Sequence, residues 1–291
     1  MKIKTVGVVG MGQMGKGIAE VLSIAGYQVI AHDSDASAQT SVMDAISHDF
    51  KRLVEKKRVD AISVKEATKK IVLAKEISEL GDCDLIVEAA TENENTKKEI
   101  FSNLEAVLKD EAILTTNTSS ISVTRLAAAT NRPNKFMGLH FMNPVTLMNL
   151  VELVRGIATD DETFDIVKDV VFSLGKTYSV SEDFPAFIVN RILMPMINEA
   201  IYCLYEGVGN VRNIDLSMKL GANHRMGPLE LADFIGLDTC LSIMNVLHEG
   251  LGDTKYRPCP LLVKYVEAGW LGQKTKKGFY DYGTKPPEPT R

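Results

Sequence analysis

The 291-residue chain has only four cysteines, and none of them occurs in a CxxC pair or in a Cys/His cluster with the spacing of a zinc site. The sequence therefore predicts no metal site. Without such chemistry we expect Cys83, Cys203, Cys240 and Cys259 to be free thiols. Free thiols are typical of the reducing cytoplasm, so a cytoplasmic protein is expected.

Long apolar runs and an excess of positive charge are absent as well. No eighteen consecutive residues are apolar, so no membrane span is expected. The N-terminal MKIKTVGVVGMG enters a strand-like run directly, without the apolar segment of a secretion signal. The formal net charge is −5, which gives no indication of a nucleic-acid partner. A polyanionic ligand would need a local basic patch.

The first part of the chain alternates strands and helices. TVGVVG (5–10), a helical pattern that ends at Gly26, and YQVIAHD (27–33) form a strand–helix–strand unit, which predicts a parallel sheet. Further strands are predicted at 84–90, 112–117, 135–141, 149–154 and 176–181. Helices are predicted at 36–70, 94–108 and 160–174.

After Pro185 the pattern becomes helical. A long apolar helix, with Pro195 expected to kink it, precedes three or four more helical segments up to about residue 270. The polar, proline-rich tail at 283–291 is expected to be flexible and outside the fold. The predicted class is α/β, with an N-terminal dinucleotide-binding domain at 1–184 and an all-helical domain at 185–291.

Gly10-Met11-Gly12-Gln13-Met14-Gly15 is a G-x-G-x-x-G sequence that follows a strand and opens a helix, the context that a Rossmann-type dinucleotide site requires. The three glycines would allow the tight turn, the approach of a pyrophosphate and close helix–strand packing. Asp33 ends the second strand, 23 residues after Gly10, near the spacing of the acid that binds the adenosine ribose. A carboxylate there predicts NAD rather than NADP as cofactor.

His140, in GLHFMNP, is predicted to end a strand at the carboxyl edge of the sheet, where ligands bind in such folds. Glu152 lies in the next strand among apolar residues. If the two strands form an antiparallel hairpin centred near residue 146, these side chains face each other, and the pair suits proton transfer in a dehydrogenase. By itself His140 could instead be a packed histidine with a satisfied hydrogen bond.

A hydroxyl or amide should also hold the substrate oxygen, and Ser119 and Asn190 are candidates. Ser119 could instead cap a helix near Ser122. Asn190 shares a predicted helical face with apolar residues and could make only a structural bond to a loop. The basic run KRLVEKKR (51–58) places Arg52 and Lys56 one helical turn apart. It could bind phosphates or form a solvated helix face.

The chain resembles the short, single-function 3-hydroxyacyl-CoA dehydrogenases, and is similar to bacterial enzymes acting on 3-hydroxybutyryl-CoA. The resemblance spans about residues 3–282. It is carried by GVVGMGQMGKGIA, DLIVEAATEN, TNTSSISVTRLA, GLHFMNPV, VELVRG, FIVNRILMPMINEA, MGPLELADFIGLD and LGQKTKKGFYDY.

The resemblance implies NAD-dependent interconversion of short-chain (S)-3-hydroxyacyl-CoA and 3-oxoacyl-CoA, with 3-hydroxybutyryl-CoA and acetoacetyl-CoA as the expected pair. It implies a catalytic pair of His140 and Glu152, with Ser119 and Asn190 at the substrate oxygen. It also implies a homodimer built through the helical domain, and coenzyme A crossing a helix near 49–57, where Arg52 and Lys56 would bind its phosphates. The residues it implies at the NAD site, besides the glycine turn, are Asp33, Glu92, Lys97, Ser119, Asn143 and Lys274.

The chain departs from the family pattern at Asp49, Ala186, Arg225 and Lys276. Asp49 replaces a frequent hydroxyl or amide near the coenzyme, while Ala186 and Lys276 stand at or near usual glycines. Two other functions fit the scaffold. One is a dehydrogenase of small 3-hydroxy acids, which typically uses a lysine instead of a His–Glu pair. The other is a catalytically silent nucleotide-binding protein, against which the full set of polar residues argues.

Overall fold

The chain, seen in a computed structural model that describes residues 2–290 without the side chains of 36–40, divides into two compact units. The boundary in the sequence lies between Phe184 and Pro185. Each unit has a hydrophobic core of its own.

The first unit alternates strands and helices in the manner of an α/β domain. Its elements are β1 (Thr5–Val9), α1 (Gln13–Ile24), β2 (Gln28–His32), α2 (Ala36–Glu55), α3 (Ala61–Lys69), β3 (Ile71–Ala74), β4 (Leu85–Glu88), α4 (Glu94–Glu105), β5 (Ile113–Thr116), α5 (Val123–Ala127), β6 (Phe136–Phe141), β7 (Leu150–Arg155), α6 (Asp161–Ser173) and β8 (Thr177–Glu182). Short 3₁₀ turns occur at Ile77–Leu80 and Pro133–Lys135.

These strands form one sheet in the order β3-β2-β1-β4-β5-β6-β7-β8. All neighbours are parallel except β6 and β7, which pair antiparallel. The chain order reverses between β1 and β4, and ligands of open α/β sheets bind at the carboxyl edge next to such a reversal. The predicted α/β class is confirmed.

The central strands are short and apolar, as expected of strands covered on both faces. All residues of β4 and β5 are buried, and their sequences LIVE and ILTT contain mainly β-branched and leucine side chains. Several helices of this unit begin at capping side chains. The Asn93 side chain accepts from the Thr96 amide to start α4, and Asp160 accepts from the Thr163 amide to start α6.

The helix predicted over 36–70 was wrong in its continuity. The first helix, α2, ends at Glu55, and Lys57 adopts a left-handed backbone conformation with φ +54°. A second helix, α3, begins at Ala61. Asp60 caps this second helix by accepting from the amides of Ile62 and Ser63. The edge strand β3 was not predicted, because four residues of mixed burial carry little periodic signal.

The second unit is helical, as predicted. It contains α7 (Val189–Tyr205), α8 (Val211–Gly221), α9 (Pro228–Ile235), α10 (Leu237–Leu251) and α11 (Pro260–Glu267), with 3₁₀ turns at Thr254–Tyr256 and Gln273–Thr275. Pro195 lies inside α7. Across the described part of the chain no single helix has the length and apolar character to cross a membrane, although α9 and α10, bent by 97°, meet that test as a pair.

The C-terminal tail returns to the second unit. Residues β10 (Glu288–Pro289) pair antiparallel with β9 (Tyr280–Asp281), and the Thr290 hydroxyl donates to the Gly278 carbonyl at 2.7 Å. The expectation of a tail outside the fold was therefore wrong. Backbone pairing, the hydroxyls of Thr284 and Thr290 and an ion pair between Arg212 and Glu288 hold these residues, and none of these contacts is visible in a polar, proline-rich composition.

Candidate active site

The turn between β1 and α1 has the geometry of a nucleotide-binding loop. Gly10 has φ +91°, and a Cβ there would lie 2.6 Å from the Ala90 amide nitrogen. A Cβ on Gly15 would lie 1.7 Å from the Gly10 carbonyl oxygen. A Cβ on Gly12 would meet no described atom within 4 Å, and no side chain caps α1. Gly10 and Gly15 are required by packing, whereas Gly12 leaves open space at a helix N-terminus, where a phosphate can approach.

Asp33 links the end of β2 to this turn. Its carboxylate accepts from the Met11 amide at 2.6 Å and from the Asp35 amide at 2.9 Å. It also lines a cavity of about 700 Å³ beside Gly10, Gly12, Gln13 and Met14. The other side chains around it include Glu76 and Glu99 but neither lysine nor arginine. A cavity of this size with an acid at the end of β2 fits the adenosine half of a dinucleotide without a 2′-phosphate.

Charged side chains are paired at the end of β4. Lys97, almost fully buried on α4, donates to Glu88 at 2.7 and 3.0 Å and lies 3.5 Å from Glu92. Glu88 also accepts from the Thr116 hydroxyl at 2.7 Å. Lys97 was predicted as an NAD-site residue from the resemblance, while Glu88 was missed. An ionisable residue at the end of the apolar strand LIVE was the available signal, since a buried carboxylate needs a partner.

Glu92 anchors the loop after β5. It accepts from the Thr118 hydroxyl at 2.6 Å and from the amides of Ser119 and Ser120 at 2.9 and 3.1 Å. Burial opposes its ionisation, but the charge of Lys97 and these hydrogen bonds lower the pKa of Glu92 below its usual value. The structure thus brings Glu92, Lys97 and Ser119 together. Ser122, not Ser119, caps α5, by accepting from the Arg125 amide.

His140 and Glu152 face each other across the antiparallel pair of β6 and β7, in the register the hairpin argument predicts. His140 Nδ1 lies 2.8 Å from Glu152 Oε2. Both residues are buried, Glu152 completely. The amide of Phe141 donates to the Asn117 side chain at 2.8 Å, which ties the end of β5 to the strand that carries His140. A buried carboxylate with one histidine partner can orient the imidazole for proton transfer.

A second cavity of the first unit, here called the basic cavity, begins three residues after His140. Its volume is about 340 Å³, and it is lined by Gln13, Lys16, Gly17, Glu20, Asp49, Arg52, Leu53, Lys56 and the loop 143–147. Lys56 continues the helical hydrogen bonding of α2, its amide donating to the Arg52 carbonyl at 3.1 Å. The structure therefore places Arg52 and Lys56 in one cavity. Asn143 lies there as well, and Gln13 borders both cavities.

Asp49 is paired inside the basic cavity. The Lys16 ammonium lies 2.5 Å from its carboxylate. Sequence reasoning singled out Asp49 as a departure but missed Lys16, which is 33 residues away. The negative charge that Asp49 brings near the expected coenzyme position is thus offset by a lysine from α1.

Two predicted site residues lie in the second unit. Asn190 is half-buried in the first turn of α7. Lys274 is exposed and donates to Asp238 at 2.6 Å. Their assignment to the substrate oxygen and to NAD stays a prediction.

Comparison with protein-family models finds two matches that together cover nearly the whole chain. Residues 5–184 match the 3-hydroxyacyl-CoA dehydrogenase NAD binding domain, and residues 187–282 match the 3-hydroxyacyl-CoA dehydrogenase C-terminal domain. The chain belongs to the 3-hydroxyacyl-CoA dehydrogenase family.

Individual relatives of this family are similar over their full length. The chain is 64% identical over 289 residues to a 3-hydroxybutyryl-CoA dehydrogenase of Bradyrhizobium diazoefficiens, covering 99% of both chains. It is 50% identical to a probable 3-hydroxybutyryl-CoA dehydrogenase of Bacillus subtilis, covering 98% of this chain and 99% of that one. Among solved structures, an (S)-3-hydroxybutyryl-CoA dehydrogenase from Ralstonia eutropha superposes with a TM-score of 0.94 at 42% identity, covering 97% of this chain and 100% of that one.

Membership in the 3-hydroxyacyl-CoA dehydrogenase family makes the chain an NAD-dependent oxidoreductase. The open space at Gly12, the uncapped start of α1 and the acid at the end of β2 are the features of this chain that fit NAD.

Proposed function

We propose that this 3-hydroxyacyl-CoA dehydrogenase interconverts (S)-3-hydroxybutyryl-CoA and acetoacetyl-CoA, in butyrate-type or fatty-acid metabolism. The observation that carries the proposal is the buried His140–Glu152 pair at the carboxyl edge of the sheet. The names of the relatives support the four-carbon acyl group, and the family resemblance supports the (S) configuration.

In this proposal His140 is the acid–base residue. It takes the proton from the substrate hydroxyl during oxidation and returns it to the carbonyl oxygen during reduction. Because Nδ1 faces Glu152, we assign the proton exchange to Nε2. Glu152 selects the ring tautomer and stabilises the imidazolium. Ser119 and Asn190 hold the substrate oxygen. NAD, when bound, would accept the hydride from the carbon that bears this oxygen.

Two features at the carboxyl edge of the sheet, the glycine turn after β1 and Asp33 after β2, indicate where NAD would bind. The turn of Gly10, Gly12, Gln13, Met14 and Gly15 would receive the pyrophosphate, and Asp33 the adenosine ribose. On the resemblance, Glu92, Lys97, Ser119, Asn143 and Lys274 would also line the NAD site. In the structure Lys97 and Ser119 both contact Glu92, so we expect Glu92 to position this group of side chains.

The coenzyme A phosphates would lie in the basic cavity. Arg52 and Lys56 are exposed there, and their charges are the feature that suits a pyrophosphate and a 3′-phosphate. This contact is remote from the reacting carbon and changes little between ground and transition state. Its loss should raise KM more than it lowers kcat.

Lys56→Ala tests this placement. We expect KM for acetoacetyl-CoA to rise several-fold at low ionic strength, about 1 kcal/mol for an exposed charge, and the effect to shrink with added salt. Lys51→Ala is a matched control, because Lys51 is exposed on α2 but does not line the cavity. An unchanged KM at low salt would mean that the run 51–58 is a solvated helix face.

The proposal includes a cytoplasmic homodimer joined through the helical unit. The free cysteines, Cys83, Cys203, Cys240 and Cys259, agree with a reducing compartment. Exposed apolar side chains on α7, α8 and α9, among them Ile192, Leu216, Leu220 and Phe234, are candidates for the contact between subunits.

One assay separates the candidate functions: oxidation of NADH by acetoacetyl-CoA, compared with free acetoacetate and other small 3-oxo acids. We expect rapid turnover with the thioester and little with the free acids. Faster turnover with free acids would identify a dehydrogenase of small 3-hydroxy acids. NADH binding without turnover of any substrate would identify a silent nucleotide-binding protein.

A further inference from the structure

Glu20 is a buried carboxyl group to which the reaction proposed above gives no role. It lies in the middle of α1, is 1% exposed and lines the basic cavity. Among the described residues its Oε1 has no hydrogen-bond partner. A buried, unpartnered carboxylate is costly, so this side chain should be neutral unless a cation reaches it.

The charged groups around Glu20 come from α1 and α2. Lys16 lies one helical turn before it, but its ammonium is paired with Asp49. Asp49, Arg52 and Lys56 face the same cavity from α2, with the exposed His48 ring 3.7 Å from Asp49.

Among the described residues, the remaining walls supply no cation for the carboxyl group. The loop 143–147 has no ionisable side chain, and Lys176 behind it donates to the carbonyls of Val145 and Met148. The helix α3, which also packs on α1, contributes Ala67 and Val64 to the core. Of the cations that line the cavity, Lys16 is paired with Asp49, and Arg52 and Lys56 are exposed.

Burial, and then the charge of Asp49, raise the pKa of Glu20 to about 8, while Lys16 opposes this shift. The side chain is then mainly neutral near pH 7 and ionises only in mildly alkaline solution. With Glu20 neutral, the cavity has three cations and one carboxylate, a net charge of +2. With Glu20 ionised, there are two carboxylates and the net charge falls to +1.

We propose that Glu20 sets the affinity of the basic cavity for the phosphates of the acyl-CoA through its protonation state. The neutral form of Glu20 permits phosphate binding. The ionised form places a second carboxylate in the cavity besides Asp49, and this weakens phosphate binding. This inference rests on the proposed location of the coenzyme. It makes Glu20 a proton-dependent determinant of substrate affinity that lies outside the catalytic pair.

The test compares KM for acetoacetyl-CoA between pH 6.5 and 9 in the wild type and in Glu20→Gln, at saturating NADH. The ratio of wild-type to variant KM should be constant below pH 7 and rise several-fold toward pH 9. Ionisations other than that of Glu20 are common to both proteins and cancel in the ratio. The corresponding ratio for NADH should stay flat. A flat ratio for acetoacetyl-CoA overturns the proposal.

A stability measurement reports on Glu20 without any ligand. A folded-state pKa above the unfolded value of 4.5 means that the native state binds the extra proton, so stability is lost as pH rises through this range. The difference in Tm, Glu20→Gln minus wild type, should therefore become more positive between about pH 5 and pH 8. If this Tm difference rises with pH while the KM ratio stays flat, Glu20 titrates without affecting substrate binding, which also overturns the proposal.

Asp49→Asn is the second variant. It removes the charge that raises the Glu20 pKa and releases Lys16, so the rise in KM should move to lower pH. An unmoved transition would exclude Glu20 as its source. If Lys56→Ala leaves KM unchanged while the enzyme turns over acetoacetyl-CoA, the fault lies in the proposed position of the coenzyme and not in the titration of Glu20.

Discussion

At the scale of single residues, two carboxylates that are completely buried at the sheet edge each have a nitrogen-bearing side chain as a partner. His140 faces Glu152, and Lys97 donates to Glu88. Removing one partner of such a pair leaves an uncompensated charge in a poorly solvated place, which is strongly destabilising. The two pairs have different consequences, because a neutral imidazole has both a donor and an acceptor nitrogen, whereas an ammonium group can only donate hydrogen bonds.

His140→Ala should lower kcat by roughly 10²–10⁴, the usual contribution of a positioned acid–base residue. The affinity for NADH should barely change, because the dinucleotide turn lies at β1 and β2. Steady-state kinetics with acetoacetyl-CoA and a fluorescence titration of NADH measure the two quantities. His248→Ala, on α10, serves as the matched control. Activity within a few-fold of wild type would remove His140 from the mechanism.

Asp33 should produce a preference for NADH over NADPH of at least about tenfold in kcat/KM, equal to about 1.4 kcal/mol. The reason is repulsion between its carboxylate and a 2′-phosphate. Asp33→Asn, which keeps an oxygen for the Met11 amide, should reduce the preference. Equal values for the two cofactors in the wild type would show that a neighbouring group overrides the acid.

At the scale of elements, the departures from the family pattern have backbone consequences. Ala186 and Lys276 stand at or near usual glycines, and both adopt positive φ, +65° and +60°. Left-handed backbone costs an L-residue roughly 1–2 kcal/mol, and glycine avoids this. Ala186 is buried, so its methyl group recovers part of the cost by packing, whereas Lys276 is exposed at the end of a 3₁₀ turn.

Lys276→Gly should therefore stabilise the protein by about 0.5–1 kcal/mol, the strain relieved less the entropy of the freer unfolded chain. A thermal scan of the full chain should show a Tm rise of about 2 °C. Lys264→Gly is the control. Lys264 is also exposed but lies inside α11, so glycine there should cost about 1 kcal/mol. A lower Tm for Lys276→Gly would show that the lysine side chain has a stabilising contact.

At the scale of the whole molecule, the chain has two units with separate cores, and the helical one exposes apolar side chains in a regular pattern. Leu216 and Leu220 are four residues apart on α8 and are 53% and 78% exposed. A cavity of about 460 Å³, lined by α7 and α8 residues such as Met196 and Met218, lies in the same unit. Apolar surface of this kind is typical of subunit contacts.

The double variant Leu216→Lys/Leu220→Lys should convert a dimer into monomers, because it places two charges in an apolar contact. Light scattering after gel filtration measures the mass, and circular dichroism checks that the helices remain. Ile157→Lys makes the same kind of change at a 91% exposed position of the first unit and should leave the mass unchanged. A dimer that persists in the double variant would place the interface elsewhere.

The sequence by itself determined the features that depend on local spacing. The glycine turn, the acid 23 residues after it and the apolar strands predicted the α/β unit, and the hairpin register about residue 146 predicted the His140–Glu152 contact. Alternation and turn chemistry act over a few residues, so their consequences can be read along the chain. The same reasoning failed at β3, at the break after Glu55 and at the tail, where the local signal is weak.

Only the tertiary structure decided which distant charges meet. Lys16 pairs with Asp49, 33 positions away in the sequence. Glu92 accepts a hydrogen bond from the Ser119 amide in the loop after β5. The packing of α2 and of the loop 143–147 against α1 buries Glu20 and leaves its Oε1 without a hydrogen-bond partner among the described residues. Partners and burial depend on how elements pack, because the energy of a charge is determined by its surroundings in space and not by its neighbours in sequence.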